Sequence, residues 1–161
     1  MNKPFVIFTN FWDVEQILGH GILFLTDEEN QYVINFHDQD IDYSVYSIAL
    51  SFPDISVTKN IETLDFFCPS YDILMDYKVD KDFDVFTRGY LDILCNRKLH
   101  IKEWLRGLKK GKIYFLCCWE NTSFGDNCHR KILYDLFCNS QTTKNKANFI
   151  YRGGVYPWME K

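Results

Sequence analysis

Apolar and polar residues along this chain recur with two different periods, and the points where the period changes mark out its elements. Residues 5–8 (Phe-Val-Ile-Phe) form a short apolar run expected to be a first strand. Asn10 is placed to cap a helix continuing to Leu18, which Gly19 or Gly21 would end. Residues 22–25, 32–36 and 43–50 are enriched in β-branched and aromatic side chains, and Asp27-Glu28-Glu29-Asn30 between the first two reads as a turn. Two or three strands are expected there.

After Pro53 the period becomes helical. Pro69 is expected in the first turn of a helix running to Lys78, and Phe83, Phe86, Tyr90, Leu91 and Leu94 form the stripe of a second helix beyond an Asp-Lys-Asp turn. A third helix is expected over residues 101–109, burying Ile101, Trp104, Leu105 and Leu108, with Gly111 as its stop. Residues 113–119 are continuously apolar, as in a strand covered on both faces, and Ile132, Leu133, Leu136 and Phe137 make a further helical stripe. A last strand over 147–151 leads through Arg152-Gly153-Gly154 to an aromatic tail, Tyr156-Pro157-Trp158. Helices alternating with buried strands predict a three-layer α/β fold, a mostly parallel sheet with helices on both faces, and 161 residues without a clear linker predict a single domain over 1–161.

Composition narrows the class. No apolar run is long enough to span a bilayer, so no membrane association is expected, and the N-terminus lacks the features of a secretory signal, so a cytoplasmic location is expected. Two of the six cysteines are adjacent, Cys117 and Cys118, and the rest follow no secreted framework; free thiols are expected. The net charge of −4 hides an asymmetry: between Pro4 and Thr58 there are nine Asp or Glu and no Lys or Arg, whereas residues 97–112 hold seven Lys or Arg against one Glu. One surface is therefore suited to anions, although a solvated helix face gives the same pattern.

The chemistry gathers after the apolar run at 113–119. If that run is a central strand, Glu120 stands at its carboxyl end, where open α/β sheets place ligands. Asp126 or Asn127 is expected to cap the next helix, putting Cys128-His129-Arg130 in its first turn. Backbone N–H groups and the helix dipole there favour an anion, and Arg130 adds a fork of donors suited to phosphate or carboxylate. The same field would favour a Cys128 thiolate, with His129 available as acid, base or donor.

Leu116-Cys117-Cys118-Trp119-Glu120 followed by Cys128-His129-Arg130 resembles the signature of the YeaO-like family of uncharacterised domains, Leu-Leu-Cys-x-Glu then Cys-His-Arg. Cys68-Pro69-Ser70 with Leu74 and Tyr77-Lys78, and Phe86-Thr87-x-x-Tyr90 with Leu94, resemble that family's upstream Pro-Ser…Leu…Lys and Phe-x-x-x-Tyr-x-x-x-Leu segments. The resemblance spans residues 64–138 and implies a three-layer α/β fold; it raises Lys78 and Ser70 as ligand contacts. The chain departs from the family around 22–25, where an Asp-Val-Arg element is usual and no Arg is present. That departure favours a descendant that only binds.

The residues carry competing roles. Cys118, Cys128 and His129 are metal-ligating types, but Cys-x9-Cys-His is not a usual zinc spacing and no fourth ligand is evident, so neither a metal nor a cofactor is expected. Cys117 is expected to be a small buried hydrophobe. Cys128 as nucleophile needs a base, and adjacent helical residues point about 100° apart, which argues against direct activation by His129. Glu120 is either a general acid or base or a partner of Arg130 or His129 that holds the loop closed. Phe83, Phe86, Tyr90 and Trp104 read as core.

The leading expectation is binding, with hydrolysis or transfer of a group left open, of a phosphate-bearing, nucleotide- or nucleic-acid-related ligand. In that reading Glu120, Cys128 and His129 are the catalytic candidates and Ser70, Lys78, Cys118, Asn127 and Arg130 the ligand contacts. One alternative is a non-enzymatic interaction protein, phage- or mobile-element-derived, that docks a basic partner through residues 13–54. Another is a Cys-dependent enzyme using Cys128.

Overall fold

The computed structural model describes residues 3–38, 40–120, 122 and 126–155. The chain is α/β. Among the described residues, seven strands and five α-helices follow in the order β1 (Phe5–Asn10), α1 (Phe11–His20), β2 (Ile22–Thr26), β3 (Gln31–Asn35), β4 (Asp42–Ser47), β5 (Glu62–Thr63), α2 (Tyr71–Asp80), α3 (Phe83–Asn96), α4 (Lys98–Arg106), β6 (Lys112–Cys118), α5 (His129–Asn139) and β7 (Asn148–Tyr151). The main sheet has the order β5-β4-β6-β1-β7 and every pairing in it is parallel, while β2 and β3 form a separate antiparallel hairpin. The aromatic tail at 156–158 and most of the 121–125 loop lie outside the described residues.

Alternation along a strand sorts the helices into layers. On β1, Thr9 donates to Asp13 of α1 and Phe5 packs edge-on to Tyr32 of the hairpin. Phe8, one residue out of phase with these, meets Tyr134 and Phe137 of α5. On β6, Phe115 faces Phe36 after the hairpin, and Tyr114 faces Trp104 of α4. So α1 and the hairpin cover one face and α4 and α5 the other, with β6 and β1 buried between.

Several boundaries differ from the sequence reading. Ser70, not a residue before Pro69, caps α2: its Oγ accepts from the Ile73 N–H, and Pro69 stays outside the helix. The third helix starts at Lys98 and ends at Arg106 with Gly107 as cap, so Gly111, at φ 76°, turns the chain into β6 instead of stopping α4. Cys128 itself, in extended backbone at φ −148°, is the N-cap of α5, the role assigned to Asp126 or Asn127.

Two buried polar links tie the end of the chain to its beginning. Asp13, 3% exposed in its side chain, accepts two hydrogen bonds from Arg152 at 2.6 and 2.9 Å and a third from Thr9. Asn10 caps α1 through Asp13 N–H and exchanges hydrogen bonds with the backbone of Val155. The turn at Gly154 has φ 96°, and a Cβ there would meet the Asn10 side chain at 2.5 Å, so only glycine fits.

Candidate functional site

Because β4 and β6 are adjacent and parallel, the segments leaving their carboxyl ends run out side by side, the placement expected for a ligand cleft in an open parallel sheet. They frame a cleft of about 290 Å³. Leu50, Pro69, Leu74 and Trp119 make its apolar wall; Ser51, Lys78, Glu120 and His129 are its polar lining. Trp119 is fixed by an Nε1–H bond to the Ser51 carbonyl at 2.8 Å and by edge contact with Phe11. Of the residues singled out from sequence, Lys78, Glu120 and His129 therefore meet in one place.

Arg130 is not among them. Its side chain is fully buried and turned inward, which corrects its assignment as an anion ligand. Nη1 donates to the Glu120 carbonyl at 2.7 Å and to Cys118 Sγ at 3.0 Å; Nη2 donates to the Gly153 carbonyl at 2.6 Å and, more loosely, to Arg152 O and Thr122 Oγ1. The guanidinium also lies 5.4 Å from the Tyr151 ring centre. Among the described residues, Nε alone of its nitrogens has no partner. A planar fork of donors was a sound reason to expect anion recognition, but the same fork here staples the loop after β6 to the segment after β7. Burial pushes the Arg130 pKa below its usual value, and the nearby Tyr151 and Glu120 pull it back up.

Glu120 uses its carbonyl, not its carboxylate, to meet Arg130. Burial raises the pKa of its carboxyl group, a shift opposed by a backbone hydrogen bond and by the charge of Arg130. Ser70 caps α2, and Asn127 donates to Tyr77 Oη at 3.2 Å; neither lines the cleft.

The two cysteines come together from different elements. Cys118 ends β6 on the face turned to α5, Cys128 caps that helix, and their sulfurs touch across a Cα separation of 7.9 Å. Cys68, Cys95, Cys117 and Cys138 are free thiols, as expected; the same expectation does not hold for Cys118 and Cys128, whose sulfurs are paired with each other as a disulfide. Cys128 Sγ accepts the Arg130 N–H at 3.5 Å and lies 3.8 Å from His129 Nδ1. Cys128 stands outside the helix in extended backbone, so the 100° offset between adjacent helical residues does not separate it from His129.

His129 is held on all sides. Its Nε2 is 2.6 Å from the Ile48 carbonyl, which can only accept, so Nε2 carries the proton and Nδ1 keeps a lone pair on the side of Cys128. Tyr90 of α3, buried and donating to the Phe67 carbonyl, packs edge-on against the imidazole at 5.3 Å. Burial lowers the His129 pKa to about 4, partly offset by the Ile48 hydrogen bond, so the ring is neutral at pH 7.

No protein-family model, curated protein or solved structure matches the chain. Sequence reasoning missed Ser51, Trp119 and Thr122, which carry no motif of their own, and the bond from Arg130 to Gly153, which joins residues 23 positions apart. The basic run at 97–112 is not gathered at the cleft: Lys98 and Lys102 border a separate apolar groove between α3, α4 and α5.

Proposed function

We propose that the cleft beyond β4 and β6 binds a small phosphate-bearing ligand of nucleotide-like size, with Lys78 as the cation that meets its anionic group. The observation that carries this reading is the meeting of one lysine, one aromatic wall and a few polar groups in a single concave site at the strand ends, the composition expected of a small-molecule pocket. Trp119, 37% exposed and fixed at its edge, offers a surface for a flat ring. At about 290 Å³ the cleft suits a mononucleotide or a smaller anion better than a polymer, and the basic run at 97–112 lies elsewhere. The likeness of residues 64–138 to the YeaO-like family belongs to the same proposal and supports Lys78 as a ligand contact. Titration of the tryptophan fluorescence with adenosine monophosphate and with inorganic phosphate tests the reading. Saturable quenching is expected, weakened about tenfold or more in Lys78→Ala, a change of about 1.4 kcal/mol. Equal affinity in that variant, or no response to either probe, removes the support.

A second reading, docking of a basic partner through the acidic N-terminal region, is favoured by the hairpin. Its outer face leaves Ile22, Phe24 and Val33 exposed at 50, 73 and 65%, beside the carboxylates of the 27–29 turn. Asp13 does not contribute, since it is buried against Arg152. Retention on a polylysine surface should fall when Asp38, Asp40 and Asp42 are charge-reversed; undiminished retention would count against this reading.

A further inference from the structure

We propose that Cys118, Cys128 and His129 form a binding site for a single zinc ion. The ligand atoms of these three buried residues all lie within 4.8 Å of one another, and they reach that point from a strand end, a helix cap and a first helical turn. The inference goes beyond the ligand reading of the cleft and does not depend on it.

Backbone spacing separates a metal site from a simple cross-link. The Cα atoms of Cys118 and Cys128 are 7.9 Å apart. Disulfides usually span about 4.4–6.8 Å between Cα atoms. Once the pair is reduced and the sulfurs part, an ion between the two thiolates, with zinc–sulfur bonds of about 2.3 Å, suits the wider backbone spacing.

The imidazole is set up as a ligand's ring would be. Metal-bound histidines usually give their second N–H to a carbonyl or carboxylate, which fixes the tautomer and aims the free lone pair. His129 gives Nε2–H to the Ile48 carbonyl and leaves Nδ1 3.8 Å from Cys128 Sγ. Both sulfurs also receive the N–H donors that stabilise thiolates: Cys128 from the Arg130 backbone, Cys118 from the Arg130 guanidinium. Charge closes as well. Two thiols each release a proton to solvent as their sulfur–zinc bonds form, and the resulting thiolates cancel the dication while imidazole stays neutral. Thiolate with imidazole selects zinc over magnesium or calcium. Three protein ligands leave one coordination position for water or another donor, and His129 is the residue shared with the cleft.

The test uses the full chain, reduced and freed of metal with a chelator, then titrated with Co²⁺ and challenged with Zn²⁺. One equivalent of Co²⁺ should give the visible bands of tetrahedral coordination and a thiolate charge-transfer band, and Zn²⁺ should abolish both. Cys118→Ser and Cys128→Ser should each lose the charge-transfer intensity and weaken binding by at least about tenfold, while Cys117→Ser, which changes the opposite face of the same strand, should keep both. The proposal is overturned if the folded, reduced wild-type chain gives no such bands, or if both serine variants retain them. It is equally overturned if the protein isolated without reductant carries a Cys118–Cys128 disulfide that cannot be exchanged for bound metal after reduction. The wild-type measurements decide the matter even if a variant fails to fold.

Discussion

Arg130 donates to the sulfur of Cys118 at 3.0 Å, across the boundary between α5 and the end of β6. This contact explains why a residue expected to face a ligand faces the protein instead. A guanidinium at the first turn of a helix has two outlets, solvent or the sheet edge beneath it. Here the carbonyls of Glu120 and Gly153 lie beneath, with a sulfur and the Tyr151 ring beside them. Removing those partners from water without a donor is costly, so the fold and Arg130 depend on each other.

Arg130→Ala should therefore act on stability first. Losing a buried, charge-assisted donor that serves several acceptors is expected to cost on the order of 3–5 kcal/mol, read as a lower denaturant midpoint. Arg130→Lys should recover only part of this, since one ammonium cannot span both carbonyls. A loss below about 1 kcal/mol for the alanine variant would contradict the clamp.

The Asp13–Arg152 pair makes a parallel case. Asp13 is buried, but Arg152 is 39% exposed, so water screens one side and the pair is worth less than a fully buried one. Asp13→Asn is expected to destabilise the chain by about 2 kcal/mol, within the range for breaking a partly buried pair. Arg152→Met should cost more in the same thermal melt, because it leaves the buried Asp13 carboxylate without its charged partner, whereas Asn at position 13 can still accept from Thr9.

Thiol reactivity should follow burial in a way that pH exposes. Burial pushes the Cys68 thiol up to about 12, and burial raises Cys117 further in the same direction, whereas Cys95 is exposed. A raised pKa keeps the thiol protonated at pH 8, and only the thiolate alkylates. Mass spectrometry of iodoacetamide-treated native protein should show exposed Cys95 modified first and buried Cys68 far more slowly, since a thiol pushed up to about 12 holds very little thiolate at pH 8. As pH rises toward 12 the folded chain should lose stability, because the unfolded thiols ionise first and draw the equilibrium away from the buried, protonated form. Rapid labelling of Cys68 at pH 8 in the folded chain would overturn this account of its surroundings.

What the sequence by itself determined is local. The continuous apolar run before Glu120 specified a strand covered on both faces, the β-branched and aromatic residues at 22–25 specified a strand but not that one face of it would stay exposed, and the helical stripes at Phe86, Tyr90 and Leu94 and at Ile132, Leu133 and Phe137 specified helices with one buried side. Period and propensity suffice for such features because they act between near neighbours. They also pointed to the strand end at Glu120, which lines a cleft together with Lys78. Tertiary structure decided the rest. Whether Arg130 turned out to a ligand or in to Gly153 depended on where β7 ended, and whether Cys128 reached His129 depended on the backbone at a helix cap. The meeting of Cys118 with Cys128 depended on which face of β6 received α5. None of these has a sequence period, because each is settled by which separated carbonyls, sulfurs and rings the packed layers leave needing a partner.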